Sequence, residues 1–220
     1  MKIQRHQNQG FTLIELLVVI SIIALLATVA TPMMNKARQT ARMVPATNNA
    51  KSILTSLTLY AGEYGGLYPE AEESSNDAFR KLFEAHCDDE KMFHQLGDRV
   101  FCDPVNPPDQ DIGEADGDPF GAALEAGENH WAYVSGLTDG NRSNTPIIAD
   151  GFTDGIGQYD EKDHVWAKGK KAIVGYINGA AAAEKLVNGI VRGPDKTGNL
   201  FEGEEIAEDD RVEIFNPLER

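Results

Sequence analysis

From Phe11 to Thr31 the chain reads FTLIELLVVISIIALLATVAT, apolar on every face of a helix, with Glu15 as its only ionisable side chain. As a helix rising ~1.5 Å per residue the run reaches roughly 32 Å, about the hydrocarbon thickness of a bilayer. A soluble core helix is seldom apolar all round for this long, so the pattern predicts one membrane-spanning helix over residues 11–31. The leader before it, MKIQRHQNQG, carries Lys2 and Arg5 and no acid. By the positive-inside rule the leader stays in the cytoplasm and everything after Pro32 lies outside.

Beyond Pro32 the pattern turns amphipathic. Met43, Ala46, Ala50, Ile53, Leu57, Tyr60 and Tyr64 recur at spacings of three and four, one stripe of a helix, with Lys36, Arg38, Arg42 and Lys51 mostly off it. This predicts an outer helical half over 32–64, with a kink or a brief loss of helix at Pro45, which has no N–H to give. The stripe holds for too few heptads to favour an exposed coiled-coil seam, and a helix packed on its own domain is the preferred reading. Gly65, Gly66 and Pro69 then stop it.

The remainder, 65–220, alternates helix and strand signals. Phe79, Leu82 and Phe83 share a face in a helix expected over Asn76 to Phe93, with Asp77 near its start. Trp131–Val134 and Pro146–Asp150 read as short strands, and Lys171–Ile177 as the best strand of all. Asn178-Gly179 is a hairpin signal that makes Ala180–Val187 the return strand, although its four alanines suit a helix equally. Val212, Ile214 and Phe215 form either a last edge strand or a loose end. The expected fold is α+β, a long N-terminal helix packed on a small antiparallel sheet.

Glu15 needs a reason, because a carboxylate within a hydrophobic span costs on the order of 2–3 kcal/mol near its centre. Three readings of the segment compete: a secretory signal cut after Ala30, an uncleaved anchor, and a cut between Gly10 and Phe11. Only the last gives Glu15 a use. The new amine at Phe11 and the carboxylate one turn along place opposite charges at one membrane depth, so that stacked subunits can satisfy each other.

Composition narrows the function classes. Lys and Arg number 20 against 35 Asp and Glu, a formal charge of −15, and a surface this acidic repels phosphate backbones, so no nucleic-acid partner is expected. Neither a phosphate loop of the G-x-x-x-x-G-K-[ST] type nor a G-x-S-x-G elbow nor H-E-x-x-H occurs, which points away from an enzyme. His86, Cys87, His94 and Cys102 fit no zinc-knuckle spacing. On the outer side of a membrane thiols oxidise, so Cys87 and Cys102 either form a disulfide or stay free. Their bond would close a loop of ~16 residues, worth about 3 kcal/mol. Asp109, Asp111, Glu114, Asp116 and Asp118 crowd a turn-rich loop, the oxygen donors calcium takes, though without the EF-hand spacing. A solvated acidic loop is the plainer alternative.

Gly10-Phe11-Thr12-Leu13-Ile14-Glu15, after a basic leader and before an unbroken apolar run, resembles the processing site of type IV pilins and type II secretion pseudopilins. The resemblance implies a leader of residues 1–10 cut after Gly10 by a prepilin peptidase, N-methylation of Phe11, and Glu15 as the assembly carboxylate. It matches Pro32 to a family proline that kinks the first helix, and Tyr64-Gly65 followed by Tyr68-Pro69 to the helix end of major pseudopilins. Asn129 to Leu137 and Ala149-Asp150-Gly151 are similar to segments of other pseudopilin-like proteins. Where major pseudopilins carry Asp-Pro-Trp-Gly, this chain has Asp118-Pro119-Phe120-Gly121. The family's calcium site would fall in the acidic loop, with Asp109, Asp111, Asp116 and Asp118 as candidate ligands.

The resemblance thus implies a single-pass inner-membrane protein with a periplasmic domain, assembled with copies of itself and minor pseudopilins on an inner-membrane platform. It would serve a type II secretion pseudopilus. A type IV pilus or minor pseudopilin subunit remains the near alternative. A membrane-anchored periplasmic binding module or enzyme is the alternative of a different class.

Overall fold

The computed structural model describes residues 11–105, 107–109, 111–113, 120–160, 162–166, 170–194, 196, 198–207 and 210–218. The chain divides into two compact units, Met1–Ala41 and Arg42–Arg220. Helix α1, Leu13–Glu63, is 51 residues long and contributes to both.

In the first unit, the segment Leu13–Thr31 is apolar, long enough to cross a membrane, and covered nowhere by protein. Its few polar side chains are satisfied within the helix. The hydroxyls of Ser21, Thr28 and Thr31 each donate to the carbonyl four residues back, at 2.8 Å. A helix that answers its own polar groups is what a lipid environment requires.

In the second unit, Met43, Ala46, Ala50, Ile53, Leu54, Leu57 and Ala61 of α1 are buried. The stripe is therefore packed on its own domain. It differs from the expected one at its end, where Ala61 lies inside while Tyr64 is exposed and stacks on Tyr60, 4.1 Å between ring centroids.

The backbone stays helical through Pro32 and Pro45, so the expected loss of helix near Pro45 does not occur. Pro45 faces solvent beside exposed Ala41, whose carbonyl water can serve, while Met43 and Ala46 on either side are held in the core. The roughly 3 kcal/mol that an interior proline costs is outweighed by burial of Ile53, Leu54 and Leu57, roughly 1.5–3 kcal/mol each. The helix closes where the Gly66 N–H donates to the Ala61 carbonyl at 2.7 Å, with Gly66 at φ 89°.

The single helix expected over 76–93 is replaced by shorter pieces. Helix α2 covers only Ser75–Arg80, and 3-10 turns follow at Lys81–Glu84 and Glu90–Met92. The Asp77 carboxylate starts α2 by accepting the N–H groups of Glu73 and Ser74. Downstream, the Asp89 side chain accepts the Lys91 N–H at 3.0 Å, a local turn that competes with continued helix.

Six antiparallel strands form one sheet: β1 Trp131–Ser135, β2 Pro146–Asp150, β3 Lys171–Tyr176, β4 Ala181–Val187, β5 Ile190–Val191 and β6 Glu213–Phe215, ordered β5-β4-β3-β2-β1-β6. With the long helix this is an α+β, pilin-like arrangement. The Asn178-Gly179 turn joins β3 to β4, Gly179 taking φ 78° and donating to the Tyr176 carbonyl. Pairing of Lys171–Gly175 with Lys185–Ala181 settles the alanine run as strand. The C-terminal cluster is an edge strand, Val134 opposite Ile214. Beyond it, Asn216 exchanges two hydrogen bonds of 3.0 Å with the Phe152 backbone.

Strands β1 and β2 are buried at every position. Gly175 of β3 packs against α1: a Cβ there would lie 2.6 Å from Ile148 Cγ1 and 2.9 Å from Leu54 Cδ1. Gly175→Ala is expected to destabilise the fold by about 1–3 kcal/mol through overpacking, measured by thermal unfolding of the full chain in detergent. An unchanged melting temperature would contradict this packing of helix on sheet.

Candidate functional site

The processing segment sits at the start of α1. Gly10 and the leader lie outside the described residues, and Phe11 is exposed. Thr12 and Glu15 close the first turn reciprocally. The carboxylate Oε2 of Glu15 accepts the Thr12 N–H at 2.9 Å and the Thr12 hydroxyl at 2.7 Å, and Thr12 Oγ1 accepts the Glu15 N–H at 3.3 Å. This is a capping box, which satisfies N–H groups that a helix start leaves without partners. Its [ST]-x-x-E signature, Thr12 to Glu15, is present in the sequence, where Glu15 stands out by its charge and Thr12 by nothing.

The acidic loop is rearranged relative to expectation. Asp116 and Asp118, like Glu114, lie outside the described residues. Asp109 Oδ1 accepts the Asp111 N–H at 2.7 Å and Asp111 Oδ1 the Gly113 N–H at 3.1 Å, so these two carboxylates first serve the loop's own backbone. The structure brings Asp109 together with two residues that spacing did not suggest, Glu90 and Glu128, with carboxylate oxygens within 4.8 Å of one another. Glu90 is buried and accepts the Leu124 N–H at 2.8 Å. Burial, then the charges of Glu90 and Asp109, hold the Glu128 carboxyl above its ordinary range. Three oxygen donors of this kind suit a hard divalent cation such as calcium.

In the structure no disulfide joins Cys87 and Cys102. Cys87 Sγ donates to the Asp89 carbonyl at 3.7 Å, and Cys102 Sγ accepts the Gln95 N–H at 3.3 Å. Burial pushes the Cys87 thiol up to about 11, which starves it of the thiolate that disulfide formation needs.

Cys102 instead adjoins a buried polar network. His130, just before β1, places Nδ1 at 2.5 Å from Asp98 Oδ2 and Nε2 at 2.8 Å from Asp150 Oδ1, all three side chains at most 3% exposed. Antiparallel register builds the second contact, because Trp131 of β1 faces Asp150 of β2. Each carboxylate is held from behind. Asp98 Oδ1 accepts the N–H groups of Val100 and Phe101, and Asp150 Oδ2 accepts that of Ile173 at 2.7 Å. Burial alone would lower the basicity of His130, but the Asp98 charge and the hydrogen bonds to Asp150 and Asp98 hold it at about 10. Burial likewise opposes ionisation of Asp98, yet the His130 charge keeps its carboxyl below the ordinary range. Burial pushes His164 down; its Nε2 donates to the Lys171 carbonyl at 2.8 Å and lies 3.8 Å from Asp150 Oδ2.

Cys102, His130 and Asp150 share the residue types of a nucleophilic triad. Their burial argues against that use: Cys102 is 1% exposed, and the cavity of about 440 Å³ between Arg142 and Ile206 is lined by other residues. Asp98 already occupies the nitrogen a general base would offer.

Residues 5–31 match the family described as a prokaryotic N-terminal methylation motif. No curated protein and no solved structure matches the chain. The match supports a type IV pilin-like or pseudopilin-like protein. It implies processing by prepilin peptidase, pilus-like assembly and a structural rather than enzymatic role, and the apolar helix it covers accords with a membrane anchor.

Proposed function

We propose that the chain is a structural subunit of a type II secretion pseudopilus, cleaved after Gly10, methylated at Phe11, and polymerised through α1 to help move proteins across the outer membrane. The observation that carries this reading is an apolar segment, Leu13–Thr31, wholly uncovered by its own protein yet holding the ionisable Glu15 near one end. Lipid can cover the apolar surface, but it offers the carboxylate no counter-charge. A neighbouring subunit with a free Phe11 amine does. Before assembly the protein sits in the inner membrane by one span, its sheet domain in the periplasm, and its partners are copies of itself, minor pseudopilins and the assembly platform.

The presence of Phe120 where major pseudopilins have Trp favours, as the second reading, a minor pseudopilin or a type IV pilus subunit. Purified filaments decide between them. A pseudopilus subunit occurs in short periplasmic fibres that vanish with the secretion ATPase, whereas a pilus subunit occurs in surface fibres that survive its loss.

Calcium belongs to this reading through Glu90, Asp109 and Glu128. Millimolar calcium chloride is expected to raise the melting temperature of the full chain in detergent by linkage to the folded state, and Asp109→Asn to remove most of the rise. No shift in the wild-type chain would leave the three carboxylates without a metal-binding role.

A further inference from the structure

We propose that Asp98, Cys102 and His130 form a binding site for zinc, with Asp150 as the residue that orients the histidine ligand. One carboxylate oxygen, Cys102 Sγ and one ring nitrogen of His130 all lie within 4.8 Å of one another, and all three residues are buried. Zinc takes sulfur at about 2.3 Å and nitrogen or carboxylate oxygen at about 2.0–2.2 Å, so ligand atoms around it stand roughly 3.3–3.7 Å apart. His130 Nδ1 and Asp98 Oδ2 stand 2.5 Å apart, so the entering ion would part them by about 1 Å to reach that spacing.

The surroundings of each donor fit the same ion. His130 Nε2 is bound by the Asp150 carboxylate at 2.8 Å, the carboxylate–histidine arrangement that fixes the ring, and a metal would take Nδ1 by displacing the proton it shares with Asp98. Asp98 spends one oxygen on the Val100 and Phe101 N–H groups and turns the other toward His130. The Gln95 N–H points at Cys102 Sγ, the kind of hydrogen bond that steadies a thiolate. A mixed set of sulfur, nitrogen and oxygen selects zinc over calcium, which takes oxygen alone.

Loading balances as a proton exchange. Zinc replaces the proton lying between His130 Nδ1 and Asp98 and the proton of the Cys102 thiol, releasing two protons, so the net charge buried with Asp98 and Asp150 is the same before and after. No electron moves. The bound ion would tie the loop carrying Asp98 and Cys102 to the sheet at His130, just before β1.

The test uses the full chain in detergent, stripped with a chelator and then given zinc chloride or cobalt chloride. About one zinc per chain is expected to survive gel filtration, and cobalt should give a thiolate-to-metal charge-transfer band in the near ultraviolet. Cys102→Ser should abolish that band and weaken zinc binding at least tenfold, and Asp150→Asn should weaken it about 10–100-fold. Asp109→Asn, in the separate acidic cluster, should leave zinc binding unchanged. The cobalt band of the wild-type chain needs no variant to fold. Its absence, or zinc retained undiminished by a folded Cys102→Ser chain, overturns the proposal.

Discussion

Glu15→Gln is expected to be cleaved and inserted as well as the wild-type chain and to assemble into few or no filaments. The substitution keeps size and leaves an amide oxygen able to accept from Thr12, so the 2.9 Å and 2.7 Å contacts that cap α1 need not be lost. What disappears is the charge. On the proposed function the carboxylate of an assembled subunit meets the Phe11 amine of an adjacent one, and the variant would leave that amine in an apolar setting without its counter-ion. Breaking a buried pair costs about 3–5 kcal/mol, which is about two to three and a half decades in the association constant of each contact. If Glu15 serves only to cap its own helix, or reaches out to the lipid headgroups as a bystander, Glu15→Gln polymerises normally. Filaments counted by electron microscopy, in cells whose processed subunit level in the membrane equals wild type, separate the two outcomes.

The contrast between Glu15 and the buried histidine network illustrates how far sequence reasoning reaches. The apolar helix within 11–31 rests on local pattern, an unbroken apolar run, which needs no knowledge of tertiary contacts. The hairpin at Asn178-Gly179 and strand β3 before it were legible for the same reason, since turn chemistry and β-branched residues act over a few positions, whereas the alanine run of β4 suited helix as well as strand. The helix expected over 76–93 was not, because apolar spacing favours helix there while Asp89 offers the backbone a competing turn.

Asp98, His130 and Asp150 were invisible as a group. Asp98 lies on a loop without periodic signal, and His130 meets Asp150 only once β1 and β2 are paired in their observed register. The segments holding His130 and Asp150 stood out by resemblance, but neither carried a role. The same holds for Glu90 and Glu128, which the fold brings to Asp109 across the ends of a long loop while spacing pointed to Asp111, Asp116 and Asp118.

Gly10→Val is expected to hold nearly all of the protein in its precursor form. The residue before the cut must fit the peptidase, and a branched side chain there obstructs the approach of the scissile bond, while the apolar run that drives insertion is unchanged. Immunoblots of membranes should therefore show the longer chain at wild-type abundance, with its leader attached and no filaments. Loss of processing should abolish assembly as completely as loss of Glu15, because without cleavage Phe11 has no amine to offer. Normal cleavage of Gly10→Val would place the cut elsewhere.

The most direct test of the account is the intact mass and terminal sequence of the mature protein taken from membranes. A chain that begins at Phe11 with one methyl group on its amine is the predicted result. A chain beginning at Thr31, as an ordinary secretory signal would leave, or one that retains Met1 as an uncleaved anchor would contradict it.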